Sequence, residues 1–253
     1  MLYVIGIGLN DEKDITVKGL EAVKKSDEIF LEVYTSKLQI PFETLENFYG
    51  KKIIKATRTM VEQDSDRILE KAKDGNVSFL VIGDALSATT HTDLILRAKE
   101  KKIQVQVINN ASVLNAVGIT GLQLYKFGKT TSIPFEEGNF FPETPYDVLK
   151  DNLSMGYHTL LLLDLRPFED KYMKVSDAIR HLLKIELKRN EKIFTENREV
   201  IGIARLGSEK SVIAYGKAKD LLKVNFGEAP HCLIVPGKIH FVEEEFLKMY
   251  KVG

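Results

Sequence analysis

Three short segments gather the residues best suited to holding a ligand. Gly6-Ile7-Gly8-Leu9-Asn10-Asp11 carries two glycines, which let a backbone approach a ligand closely. Gly83-Asp84-Ala85-Leu86-Ser87-Ala88-Thr89-Thr90-His91 offers a carboxylate that can accept from hydroxyl or ammonium groups, with hydroxyls beside it. Asn109-Asn110-Ala111-Ser112-Val113 leads into a helical pattern, whose start presents unpaired N–H groups. Each segment also has a plainer reading. The glycines end a strand, Asp84 opens a turn, Thr90 caps the helix that follows, and Ser112 caps the next one.

Other chemical templates are missing. A dinucleotide fingerprint would need a third glycine where Asp11 stands, and Asp11 to Asp14 is a charged loop rather than a helix start. The five histidines (His91, His158, His181, His231 and His240) form no HExxH pair, and the single cysteine, Cys232, cannot build a thiolate zinc site. There is no G-x-S-x-G elbow and no phosphate loop with a GK[ST] ending. His231, ahead of the apolar run Cys232–Val235, reads by itself as a buried structural histidine. No metal is expected.

Segments of two textures must position these residues. Strands are expected at Leu2–Leu9, Glu28–Tyr34, Lys52–Ala56, Val77–Ile82 and Ile103–Ile108. Helices are expected from Thr16, with Val17, Leu20 and Val23 on one face, and over Phe42–Tyr49. Others fall at Arg67–Lys73 behind the N-caps Asp64 and Ser65, at Thr92–Lys101 and at Ser112–Leu124. Alternating strands and helices imply a parallel sheet covered by helices, and such sheets bind ligands at the carboxyl ends of their strands. All three segments sit at strand exits, so they share one crevice.

Between Tyr125 and Pro145 the chain becomes rich in Gly, Pro and aromatics, which places a domain boundary at Gly128. The second half reads as a helix over Tyr146–Met155, a strand at Thr159–Leu165 and a long helix over Ser176–Lys188. Strands at Val200–Arg205, Val212–Lys217 and His231–Val235 and a terminal helix follow. The short connection Leu206 to Ser211 makes a hairpin, hence a mixed or antiparallel sheet. The fold class is α/β: a mostly parallel N-terminal domain over 1–128 and a mixed or antiparallel C-terminal domain over 129–253.

Composition narrows the function classes. Lys plus Arg equals Asp plus Glu at 36 each, so the chain lacks the basic surplus of a nucleic-acid binder. With 44% hydrophobic and 28% charged residues in 253, it can bury a core, and disorder or a fibrous repeat is excluded. The apolar start Met1–Leu9 lacks a basic region and is too short to span a bilayer, so neither export nor a membrane anchor is expected. One cysteine fits a reducing cytoplasm.

Several stretches together resemble the diphthine synthases, a branch of the tetrapyrrole-methylase-like (class III) S-adenosylmethionine methyltransferases. They are Gly6–Leu9, Asp14-Ile-Thr-Val-Lys-Gly-Leu20, Gly83-Asp84 with Ala88-Thr-Thr-His91, and Ala116-Val-Gly-Ile-Thr-Gly-Leu122 running into Tyr125-Lys-Phe-Gly128. Further along come Glu137-Gly-Asn139, His158-Thr-Leu160 and Pro230-His231 with Ile234-Val-Pro-Gly-Lys238. The resemblance puts the cofactor pocket at Leu9, Asp84, Ser87, Ser112, Val113, Leu163, Leu206 and His231, between the two domains. One departure is Ala85, where the family usually has proline; a looser turn is expected there.

The resemblance further implies N-methylation, three times in archaeal members, of the 3-amino-3-carboxypropyl-histidine intermediate on translation elongation factor 2. Diphthine and S-adenosylhomocysteine would be the products. Eukaryotic members are associated with an added methyl on the carboxylate. A homodimer is implied as well. The alternatives are a precorrin-type tetrapyrrole methyltransferase of the same fold, a non-catalytic binding module, and a nicotinamide-dependent oxidoreductase, which the missing third glycine weakens.

Overall fold

Short apolar runs alternating with amphipathic ones build two sheets, one in each of two units, Met1–Leu114 and Asn115–Gly253. The computed structural model describes residues 1–87 and 91–253. The first unit runs β1 (Leu2–Gly6), α1 (Val17–Lys25), β2 (Glu28–Glu32), α2 (Phe42–Tyr49), β3 (Ile54–Ala56), α3 (Arg58–Glu62), α4 (Asp66–Asp74), β4 (Val77–Val81), α5 (Thr92–Glu100) and β5 (Val105–Ile108), and the short α6 (Val113–Ala116) begins at its end. The second holds β6 (Thr131–Ile133), α7 (Thr144–Ser154), β7 (Thr159–Leu163), β8 (Leu165–Arg166), β9 (Lys171–Tyr172), α8 (Val175–Arg189), β10 (Glu199–Ala204), β11 (Val212–Lys217), α9 (Ala218–Leu221), β12 (His231–Val235) and α10 (Phe241–Leu247).

In the first unit the five strands lie in the order β3-β2-β4-β1-β5, and every pairing is parallel. Strand side chains alternate between faces, so a strand buried on both sides must be apolar at consecutive positions. Val4, Phe30 and Phe79 pack into one core, while Ile5, Ile29, Leu31 and Leu80 pack into another. Because the strands are parallel, their carboxyl ends share one edge of the sheet, and the loops after β1, β4 and β5 leave from it.

The second unit orders its strands β11-β10-β12-β7-β6, with β6 parallel to β7 and the other pairs antiparallel. The expected hairpin is β10–β11. Long α8 turns Ala178, Ile179, Leu182 and Ile185 into that unit's core. Among the described residues no helix is long and apolar enough to cross a membrane.

Several local expectations differ from the structure. Helix α1 buries Gly19, Ala22 and Val23 and leaves Val17 exposed, since the glycine edge packs against Ile15 and Ile5, which a Cβ would approach to 2.9 and 3.0 Å. Ser65 precedes α4 without capping it, because its hydroxyl accepts from Arg97 of α5 at 3.2 Å. The helix expected over 112–124 is only α6 and a 3₁₀ turn at Val117–Thr120. It stops at Gly121, whose φ of +83° and contact with the Phe246 ring leave no room for a continuing turn. Contacts divide the chain at Leu114/Asn115 rather than at Gly128. The intervening stretch is tied to the C-terminal helix, Gln123 N–H donating to Glu243 at 2.9 Å. The cap expected from Thr90 lies outside the described residues.

Candidate functional site

The three exit loops of the first sheet are stitched together by their own polar groups. Gly8 and Gly83 exchange backbone hydrogen bonds of 3.1 and 2.7 Å, closing the β1 loop onto the β4 loop. Gly8 needs its φ of +83°, and a Cβ there would lie 2.3 Å from that of Asp14. The Asp14 carboxylate in turn accepts from the N–H groups of Leu9 (3.1 Å) and Asn10 (2.8 Å).

Asp84 is the centre of this lattice. Its Oδ1 accepts from Leu86 N (3.0 Å), Ser87 N (3.0 Å) and Ser87 Oγ (2.9 Å), and its Oδ2 from Asn110 N (2.9 Å) and Asn109 Nδ2 (3.1 Å). Burial alone would raise its pKa, but five donors outweigh burial and hold the carboxyl down at about 2, so it is an anion at neutral pH. The turn that begins at Asp84 thus needs no proline: Ala85 is buried, and the two N–H groups that follow it are pinned by the carboxylate. Asp84 therefore organises the loops. The plainer reading of this residue, a turn opener, describes its side chain, and any ligand meets the surface it shapes.

Asn110 completes the arrangement and escaped sequence reasoning. Its Nδ2 donates to the carbonyls of Gly6 (3.0 Å) and Asp14 (2.9 Å), while its Oδ1 accepts from Ala111 N at 2.7 Å. The available signal was only its place two residues past the end of β5. Ser112 is buried, and its Oγ accepts from Leu114 N at 3.2 Å, so it does cap the short α6. Leu9 and Val113 are half-buried. Gly83 has a φ of +89°, and among the described residues a Cβ there would meet only Ala111 O and Leu9 Cδ2, both at 3.8 Å. The space between the β1, β4 and β5 exits thus has an apolar wall at Leu9 with backbone groups around it.

In the second unit Leu163, Leu206 and His231 converge at one end of the other sheet. Leu163 closes β7, His231 opens β12 opposite Ala204, and Leu206 lies two residues beyond Ala204. All three are buried. Both nitrogens of the His231 ring are spent on backbone: Nδ1 accepts from Val175 N (3.3 Å), and Nε2–H donates to Glu228 O (2.9 Å). Burial lowers its pKa, and the imidazole is neutral. Cys232 beside it is buried, its thiol pushed up to about 12, and cannot serve as a thiolate nucleophile at neutral pH. Among the described residues no three His, Cys, Asp or Glu side chains cluster so as to hold a metal ion.

Comparison with known proteins adds to this geometry. Residues 1–222 match the family model of the tetrapyrrole (corrin/porphyrin) methylases. A diphthine synthase from Methanococcus vannielii is 49% identical over 249 residues, covering 98% of each chain. An Arabidopsis thaliana protein assigned as a diphthine methyl ester synthase is 47% identical over 272 aligned positions, covering 99% of this chain and 98% of its own. A crystal structure from Entamoeba histolytica assigned to diphthine synthase superposes with a TM-score of 0.92 at 44% identity, covering 100% of this chain and 99% of that one. Two α/β sheets in this topology, matched from end to end, identify the chain as a methyltransferase belonging to the diphthine synthases of the tetrapyrrole methylase family.

Proposed function

We propose that this methyltransferase uses S-adenosylmethionine to trimethylate the amino group of the 3-amino-3-carboxypropyl-histidine on translation elongation factor 2, giving diphthine. The reading places it in the cytoplasm as a homodimer. Its main support is the near-complete coverage of diphthine synthases at almost half identity, together with the apolar wall at Leu9 beside Gly83. When bound, the sulfonium supplies an electrophilic methyl and leaves as a neutral thioether, so no metal or covalent enzyme intermediate is required.

What this chain's residues do is hold and shape. Asp84, Asn110 and Asp14 fix the three exit loops, so that Leu9, Ser87, Ser112 and Val113 present a preformed wall. In the second unit the His231 ring is already paired with backbone, which leaves only its main chain for a ligand. Neither Asp84, saturated with donors, nor His231 is available as a general base. The rate enhancement therefore rests on aligning amine and methyl after the amine has lost its proton.

The deciding experiment incubates the protein with S-adenosylmethionine and elongation factor 2 carrying the aminocarboxypropyl group, then counts added methyls by intact and fragment mass. Three methyls on the amine are expected. A fourth on the carboxylate would assign the methyl-ester output instead. Transfer only to a precorrin, or to neither acceptor, would overturn the reading.

A further inference from the structure

Arg205 stands out in the second unit because, among the described residues, its guanidinium has no carboxylate partner and its buried Nε has no hydrogen-bond partner. Arg97, Arg166 and Arg189 all have carboxylate partners. Arg205 is half-buried, makes no ion pair among the described residues, and its Nε is buried without a hydrogen-bond partner. A guanidinium does not shed its proton at physiological pH, so the mismatch cannot be relieved by titration.

Its setting is constructed. The residue follows β10 in the left-handed region, at φ +51°, which a non-glycine residue adopts only when the surroundings hold it there. Arg205 N–H donates to Pro230 O at 2.8 Å, and Arg205 O accepts from Ser208 N at 3.1 Å. The reversed backbone lays the guanidinium over Gly227, where a Cβ would come within 3.4 Å of a terminal nitrogen. Lys174 and Arg205 both act as positive charges on His231, reinforcing the burial that keeps that ring neutral. Asp177, the acid beside Lys174, is occupied by Lys174 N and by Arg180. Lys174 and Arg205 thus place positive charge around His231 at this end of the sheet.

We propose that Arg205 is a carboxylate-binding residue, receiving the two oxygens of a ligand carboxylate on its planar fork at this end of the second sheet. The inference rests on the methyl-transfer reading above, which involves two such groups: the amino-acid end of the donor and the carboxyl of the aminocarboxypropyl acceptor. A planar five-donor fork suits a carboxylate better than a lysine would.

The test compares Arg205→Gln and Arg205→Lys with the parent protein in three measurements. These are calorimetric affinity for S-adenosylhomocysteine, affinity for 5′-methylthioadenosine, which lacks the amino-acid end, and KM for the modified elongation factor. If the donor's carboxylate is held, R205Q weakens S-adenosylhomocysteine by about 10- to 100-fold while methylthioadenosine stays within about twofold. If the acceptor's is held, both nucleosides keep their affinity and KM rises by about tenfold or more, with kcat largely retained. R205K gives the same selective pattern at smaller size, and carries the test if R205Q does not fold. Unchanged values in all three, or parallel loss of both nucleosides, would overturn the assignment. A parent protein that binds no S-adenosylhomocysteine and methylates nothing would instead bring down the methyl-transfer reading, a distinct result.

Discussion

The Asn110 N–H donates to the Asp84 carboxylate at 2.9 Å, tying the exit of β5 to the exit of β4 across β1, which lies between them in the sheet. Asn109 Nδ2 adds a second bond to the same carboxylate at 3.1 Å, so the two outer loops of the crevice are joined through one charged group. The shape presented to a ligand there depends on that anion.

Replacing it tests the dependence. Asp84→Asn keeps the size but removes the charge and turns one oxygen into a donor facing donors. Affinity for S-adenosylhomocysteine is expected to fall at least tenfold by calorimetry. Because the folded pKa is held down at about 2, below the ordinary 3.8, the carboxylate's contribution is complete above about pH 4 and lost as pH falls toward 2. At neutral pH that contribution is on the order of 2 kcal/mol, so urea unfolding of the variant should show a shallower acid limb.

Gly8→Ala should be more damaging than its size suggests. The new methyl would sit 2.3 Å from Asp14 Cβ at a φ of +83°. Strain of about 1 kcal/mol from the dihedral adds to about 1–3 kcal/mol from the overlap. Thermal unfolding should drop clearly, and binding of S-adenosylhomocysteine should fall with it, since the loop that moves carries Leu9.

His91 sets a second pH dependence, at higher pH than that of Asp84. The ring is buried against Phe79 at a centroid distance of 5.1 Å, and burial lowers its pKa to about 4, partly offset by a hydrogen bond to the Ala85 backbone. The unfolded chain binds the proton more readily than the folded one, so stability is full above about pH 6.5 and declines as pH falls toward 4. The expected decline is on the order of 3 kcal/mol, and His91→Gln should flatten that part of the urea-unfolding profile.

Glu243 anchors the C-terminal helix. Fully buried, its carboxylate accepts from Gln123 N (2.9 Å), His240 N (2.7 Å), His158 Nε2 (3.2 Å) and the Lys126 ammonium. Glu243→Gln removes the anion facing the half-buried Lys126 ammonium, which keeps the Lys238 carbonyl at 2.7 Å, and a loss of about 2–3 kcal/mol is expected from chemical denaturation. Affinity for S-adenosylhomocysteine measured well below the new melting temperature should change far less than in the Asp84 variant.

Much of this protein was already decided by local sequence. Doubly apolar runs such as Val4-Ile5 and Phe79-Leu80 can only be strands covered on both faces, and helices between them force a parallel sheet. That geometry puts the residues after β1, β4 and β5 on one edge, so pattern alone placed the three segments that carry Leu9, Asp84 and Ser112 beside one another. Tertiary structure decided what those residues do. Hydrogen bonds such as Asn110 to Gly6 join positions 104 apart in the chain, which no periodicity encodes, and they turn Asp84 from a candidate ligand group into the brace of three loops. The early stop of the helix after Ser112 and the placement of residues 115–128 with the C-terminal helix have the same cause. Phe246 and Glu243, far along the chain, occupy the space and the donors there, and packing between distant segments overrides a helical pattern that holds only between neighbours.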